Sequence, residues 1–355
     1  MKKIGICTLH DANPNFGATL QAFALQEVLK KMGYEPEFIR FKPEKAKRVR
    51  KVKANSKMYK PNPKFSPVNT SNIKINKGII DSSKYLNICD EVYDKFIHEH
   101  DTIILGSDEL WNLRNDSFIH RKEYYGHDLN SSNIIAYAPC SNGTSKTDFE
   151  QHYNNELNLD KIKILSARDK ATQKFIKEVS NLDVPIVLDP TLLIDDIEKY
   201  VIEPEDENYI LIYDYSVKPE RKKKIQEFAK AKNLKIYSIG FYNSWADRNI
   251  DADIFEFLGY VKKANYIVTA TFHGSIFSII FKKQFVSTVG NCLKIGDILE
   301  RLNLADRDIT NIEKIESIID EPINYEEVEK LKQKYRKESM DYLEKAILNG
   351  EKIWI

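Results

Sequence analysis

The chain has 355 residues, 42% apolar and 30% charged, which excludes a disordered polymer and leaves room for two ordinary domains. A net charge of +1 excludes a global field for nucleic acid, and Cys7, Cys89, Cys140 and Cys292 lie too far apart for a zinc or disulfide framework. No apolar run reaches the ~18 residues of a spanning helix, and the run from Ile4 to Leu9 is too short for a signal peptide. A cytoplasmic protein is expected, with attachment to the inner face of a membrane left open.

Lys3–Leu9 predicts a buried strand, followed by a loop to Gly17. Ala18–Met32 predicts an amphipathic helix, because Leu20, Ala24 and Val28 recur every four residues, as do Leu25 and Leu29. Gly33 is a natural stop, and Pro36–Phe41 reads as the next strand, completing a β-α-β unit with parallel strands. Residues 42–64 hold ten Lys or Arg against one acidic residue, Glu44, and are expected on the surface as a basic loop or helix. Strands follow at Thr102–Leu105, Ile134–Ala138 and near Ile162–Leu165, then a helix at Asp169–Val179 and a strand at Pro185–Leu188.

The acidic, proline-containing segment 195–208 reads as a linker. The pattern then restarts. Strands are predicted at Tyr209–Tyr213, Lys235–Ile239, Tyr266–Ala270 and Gln284–Val289. Helices are predicted at Pro219–Lys232, Ile254–Lys263 and Ser275–Phe281. A long charged helix, Tyr325–Leu348, ends the pattern. The expected architecture is α/β: two Rossmann-like domains, 1–194 and 209–324, facing a central cleft. Residues 325–355 are expected as a C-terminal helix packing back on the first domain. Ligands in such sheets bind at the carboxyl ends of strands.

Polar clusters fall at those strand ends. They are His10, Asn13, Asn15 and Gly17; Ser107, Asp108 and Glu109, with Trp111 beyond; Ser141 and its neighbours; Arg168; Asp189; and His273 with Gly274 and Ser275. Each cluster alone is ordinary turn or cap chemistry, and Trp111 alone is more often core than sugar platform. Six in parallel point to a shared site. His273 and Gly274 stand at a strand-to-helix turn, where free N–H groups of a helix entrance suit an anion. The imidazole adds a group that exchanges a proton near neutral pH. No metal-ligand spacing is present.

Several runs in order resemble the polysaccharide pyruvyl transferases. They are Asn15-Phe16-Gly17-Ala18-Thr19-Leu20-Gln21, Gly106-Ser107-Asp108-Glu109-Leu110-Trp111-Asn112, and Ala136-Tyr137-Ala138 with Ser141 and Gly143. Further on stand Ser166-Ala167-Arg168-Asp169, Leu188-Asp189-Pro190-Thr191 and Phe272-His273-Gly274. The chain departs from the family's usual Gln at Glu109, Glu at Asp169 and Ser at Thr271. The resemblance implies a GT-B-like fold, with the first domain on the acceptor side. It also implies transfer of the enolpyruvyl unit of phosphoenolpyruvate to a sugar destined for a surface polysaccharide, as a cyclic ketal, with no cofactor. His273 and Arg168 are then expected to face phosphoenolpyruvate.

On physical grounds Arg168 suits a two-pronged grip on carboxylate or phosphate, and backbone N–H groups around Gly274 and Ser275 suit the other anion. Protonating the enol carbon C3 needs an acid, for which His273 stands as candidate; its other role is to neutralise the departing phosphate. The base for the hydroxyl is Asp108 or Glu109. Asn15, Gly17, Ser107, Trp111 and Ser141 are candidate substrate contacts. Two rivals stay open. One is a GT-B glycosyltransferase using a nucleotide sugar, with Glu256 as a ribose carboxylate. The other is a non-catalytic, sugar-binding relative. The basic segment 42–64 reads either as solvated surface or as a contact for anionic lipid or a lipid-linked diphosphate acceptor. Nucleic acid is not an expected partner.

Overall fold

The computed structural model describes residues 2–9, 15–42, 82–95, 100–116, 118–215, 217–290, 292–310 and 315–349. The basic segment beyond Lys42, together with His10 and Asn13, lies outside the described residues.

The first domain contains β1 (Lys3–Cys7), α1 (Phe16–Lys31), β2 (Glu35–Arg40), β3 (Ile88–Val92), β4 (Thr102–Leu105), β5 (Ile134–Ala136), α2 (Lys146–His152), β6 (Ile164–Leu165) and α3 (Lys170–Ser180). Its six strands lie in the order β3-β2-β1-β4-β5-β6, all parallel. The second domain contains β7 (Tyr209–Tyr213), α4 (Pro219–Ala231), β8 (Lys235–Ile239), β9 (Arg248–Ile250), α5 (Ile254–Lys263), β10 (Tyr266–Thr269), α6 (Phe272–Ile280), β11 (Gln284–Ser287), α7 (Leu293–Arg301) and α8 (Ile315–Asp320). Its five strands lie in the order β11-β10-β7-β8-β9, again all parallel. Each sheet starts at an inner strand and later reverses direction. The switch points, β1/β4 and β7/β10, are where open parallel sheets leave a crevice.

α1 is buried on almost every side because it is sandwiched between its own sheet and the second domain. Phe16 stacks on Phe257 with ring centroids 4.4 Å apart, and Phe23 meets Phe255 at 5.2 Å. Burying an aromatic side chain of this kind contributes about 2–3 kcal/mol. A single apolar cluster runs from Ile4 through Phe16 to Phe257 and Phe277, so the two domains share a core along α1. A shared apolar core restrains domain motion more than a wet interface would.

The last helix, α9 (Tyr325–Asn349), lies against the first domain. Leu343 and Ala346 are fully buried, the Leu188 N–H donates to Ser339 Oγ at 2.9 Å, and Asn133 Nδ2 donates to the Ala346 carbonyl at 3.3 Å. The acidic segment is charge-matched along its length. Asp195 pairs with Lys31 and Arg336, Glu203 with Lys262 at 3.0 Å, and Asp206 with Arg248 at 2.6 Å. Among the described residues no helix is long and apolar enough to cross a membrane.

Pro185–Leu188 and α6 depart from the pattern-based expectation, and β3, α2, β9, α7 and α8 were not part of it. Pro185–Leu188 forms only a bridge between Ala167 and Ile186, because Pro185 has no N–H and the Leu188 N–H goes to α9. α6 begins at Phe272 rather than Ser275, because Thr271 caps it. That difference places His273 and Gly274 inside the first turn of the helix.

Candidate active site

A cleft of about 870 Å³ opens between the domains at the carboxyl ends of the strands. The first domain lines it with Asn15, Asp108, Glu109 and Asn142; the second contributes Asp214, Arg221, Thr271, His273 and Lys294.

His273 is held by a compact strand-to-helix junction. Thr269 Oγ1 donates to the Tyr213 carbonyl at 2.8 Å and accepts from the Thr271 N–H at 3.0 Å. Thr271 then caps α6, its hydroxyl accepting from the Gly274 N–H at 3.0 Å. A Cβ on Gly274 would lie 2.2 Å from Thr269 Oγ1, so only glycine fits under these hydroxyls. The His273 ring, 6% exposed, points from this turn toward the first domain. Its Nδ1 sits over Gly17 in the first turn of α1, where a Cβ would come within 2.1 Å. Gly17 therefore makes room for the imidazole, and two helix entrances meet at one ring.

The other ring nitrogen, Nε2, is buried 3.6 Å from Asp189 Oδ2. Asp189 is fully enclosed. Its Oδ1 accepts from Thr191 N–H at 3.0 Å and Thr191 Oγ1 at 2.7 Å, while Oδ2 accepts from Arg168 Nη1 at 2.8 Å. Burial alone would push this carboxyl up; His273 and Arg168, with the Thr191 N–H, hold it well below the usual carboxylate range. Arg168 also reaches Asp108 Oδ1 at 3.4 Å, and its guanidinium lies 4.7 Å from the centre of the Phe272 ring. Asp108 occupies a left-handed backbone conformation, φ 74°, at the cleft wall. Non-glycine residues take that conformation rarely, and it is often met at functional sites.

A second charge pair crosses the cleft. Lys294, in the first turn of α7, pairs with Glu109 of the first domain. Glu109 also accepts from Asn112 Nδ2 at 2.5 Å and Asn142 Nδ2 at 3.3 Å. Burial opposes ionisation of Glu109, but Lys294 and the amide donor bring its pKa down to about 2. Burial likewise works against the charge on Lys294, and Glu109 overcomes it, so the ammonium persists.

This geometry belongs to a recognised lineage. A family model for polysaccharide pyruvyl transferases matches residues 15–291. The chain belongs to the polysaccharide pyruvyl transferase family. Membership makes it a transferase and connects it with polysaccharide pyruvylation. Among solved structures, one assigned as a UDP-N-acetylglucosamine 2-epimerase from Listeria monocytogenes is similar at TM-score 0.54 and 9% identity, covering 100% of this chain and 99% of that one. A rhamnosyltransferase of spinosyn synthesis, SpnG, is similar at TM-score 0.47 and 9% identity, covering 98% and 99%. The first likeness concerns the fold alone, the two-domain GT-B-like arrangement of parallel sheets. No curated protein matches the chain.

Within this pyruvyl transferase family member, the residues singled out by sequence separate into three groups. Asn15, Asp108, Glu109 and His273 line the cleft. Asn15 also caps α1, accepting from the Ala18 N–H at 2.9 Å. Arg168 does not line the cleft. It is 4% exposed and its amino groups are spent on Asp189 and Asp108, so the direct grip on an anion gives way to a buried counter-ion. The remaining candidates are structural. Trp111 is fully buried, stacked on Tyr125 at 5.6 Å, with its indole N–H donated to the Tyr124 carbonyl, and offers no face to a sugar. Ser107 is enclosed between Gln21 and Asp189, and the Ser141 N–H donates to Thr172 Oγ1 with the side chain fully buried. The N–H groups of Gly274 and Ser275 close the α6 cap on Thr271, so they are not available to an anion. Gly17 touches His273 instead of a ligand.

Lys294 and Arg221 were not singled out by sequence, and Asp189 was placed at a strand end as a structural residue. Asp189 looked like a turn former; its signal was the Leu-Asp-Pro-Thr run, which set it beside a strand-like end. Lys294 and Arg221 carried no local signal, because their value comes from facing a cleft made by two distant chain segments. Glu256, a carboxylate that a nucleotide-sugar reading would need, is occupied in the α5 capping box, accepting from the Asp253 N–H at 2.8 Å.

Proposed function

We propose that this protein transfers the pyruvyl group of phosphoenolpyruvate onto two hydroxyls of a sugar destined for a surface polysaccharide, as a cyclic ketal, releasing phosphate. The observation that carries the reading is His273, presented to the cleft by a helix entrance and backed by a buried carboxylate from the opposite domain. Nε2 is turned to Asp189 at 3.6 Å, and that carboxylate fixes the orientation of the ring.

In the proposed reaction His273 protonates C3 of the enol, and positive charge develops at C2. One sugar hydroxyl adds to C2 and gives its proton to a base. The C2–O bond to phosphate then breaks, a second hydroxyl closes the ring, and its proton leaves with phosphate. Asp108 suits the base better than Glu109, whose low pKa makes it a weak proton acceptor. Anionic groups of the donor are met by Lys294 on the cleft wall and by the first-turn N–H groups of Phe272 and His273. The donor needs no cofactor in this scheme.

The test is phosphate release from phosphoenolpyruvate over a panel of soluble and lipid-diphosphate-linked glycosides. The basic segment 42–64 is the reason to include the lipid-linked set. His273→Gln should lower turnover at least ~100-fold with unchanged thermal unfolding. Full turnover in that folded variant would sink the assignment.

A further inference from the structure

The cleft contains an aromatic feature that the charge chemistry does not use. Tyr215, just past the end of β7, is 57% exposed and lines the cleft. Its ring meets Phe241 edge-on at 5.7 Å, and Phe241 stacks on the buried Tyr213 at 5.4 Å and 24°. Phe241 also lines the cleft. The three rings thus form a ladder from the domain core to solvent. An aromatic exposed over half its surface at the lip of a polar cleft forgoes burial of its own, which marks it as a surface waiting for a partner.

The ladder is also held rigid. The Phe241 carbonyl accepts from Ser238 Oγ at 2.6 Å. Asn243 Nδ2 donates to Ser238 Oγ at 2.9 Å and to the Asp214 carbonyl at 3.3 Å, tying the loop after β8 to the residue preceding Tyr215. Trp245 Nε1 and Asn249 complete the brace by bonding Asn243. Side chains fixed before binding lose little entropy when a ligand arrives.

Across the cleft stand Asp108, Glu109, Asn115 and Asn142, all of them able to accept hydrogen bonds through carboxylate or amide oxygens. An apolar ring face opposite a row of oxygen acceptors fits a pyranose, which has a C–H face and hydroxyl donors round its rim. We propose that Tyr215 and Phe241 form the stacking platform for a sugar ring of the acceptor, with the hydroxyls turned toward the first-domain carboxylates and amides. The proposal deepens the pyruvyl-transfer reading and rests on it for the identity of the ligand as acceptor. It sets part of the acceptor against the second domain, opposite the wall expected from sequence.

The experiment has two arms. In saturation-transfer NMR without phosphoenolpyruvate, methyl glycosides that bind wild type should receive magnetisation from aromatic protons, and Tyr215→Ala should abolish it. In the coupled phosphate assay, Tyr215→Ala should raise the acceptor KM at least tenfold and change the phosphoenolpyruvate KM less than twofold. Tyr215→Phe, which keeps the ring, should restore the acceptor KM to within about threefold of wild type. An unchanged acceptor KM in Tyr215→Ala, or a uridine nucleotide displacing the glycoside from Tyr215, overturns the platform. Glycoside binding that depends on Tyr215 without any phosphate release supports the platform and counts against the donor reading, so the two failures are separable.

Discussion

The Asp189 cluster and the Glu109–Lys294 pair both carry charge from one domain to the other, and they differ in what surrounds them. Asp189 has every oxygen engaged: Thr191 caps one, while Arg168 and His273 share the other. It is sealed from solvent. Glu109 and Lys294 stand on the cleft wall itself, where solvent or substrate can reach them. A sealed charge must be matched in place, because removing one partner strands the other in low dielectric. A charge at the cleft wall can exchange its partner for an incoming anion. The first arrangement suits orientation of a catalytic ring; the second suits capture and release.

The largest expected effect lies in the sealed cluster. Asp189→Asn keeps the shape but removes the charge facing Arg168 and His273. Turnover should fall at least ~100-fold, and urea unfolding should show a loss of roughly 3–5 kcal/mol. A variant with near-normal turnover would break the distinction, since Asp189 would then be mere scaffold. Gly17→Ala comes next. Its Cβ would sit 2.1 Å from His273 Nδ1, so the ring must turn away. Activity should drop about tenfold or more, with a modest stability loss of about 1–3 kcal/mol from overpacking. Equal activity at normal stability would show that the ring's position is not set by α1.

The smallest effect belongs to the cleft-wall pair and appears in pH dependence. Glu109 has its folded pKa lowered from the usual 4.5 to about 2. Its stabilisation is therefore complete above about pH 4.5 and is lost as pH falls toward 2. Wild type should lose more stability than Glu109→Gln between pH 5 and pH 3, measured by urea midpoints. Parallel losses in the two proteins would mean that the pair adds nothing to folding.

Much of the fold was legible in local pattern. The four-residue repeat of Leu20, Ala24 and Val28 marks α1, and β/α alternation on both sides of the acidic segment implies two parallel sheets. The misreadings came from chain segments whose partners are distant. Pro185–Leu188 has strand composition, yet Ser339 of α9 takes its last N–H. β3 and β9 have few periodic residues, and are strands only because β2 and β8 offer them an edge. At the site, Trp111 and Ser141 sat in the right motifs but faced the core, a direction that motif position does not encode. Arg168 had the chemistry of an anion clamp, but two aspartates from other loops already occupy it.

The residues themselves determined the kind of protein: parallel α/β domains, a strand-end cluster for each crossover, and a histidine at a helix entrance. Periodicity and turn chemistry act over a few residues, so a single chain displays them directly. Tertiary structure alone decided which of those polar residues share a space. Gly17 beneath His273, Asp189 behind it and Lys294 across from Glu109 are separated in the chain by 100 residues or more in some cases and by a domain boundary in all, apart from the chain's own folding. Their proximity arises because α1 is buried between both domains, and a shared apolar core dictates where each strand end finally faces.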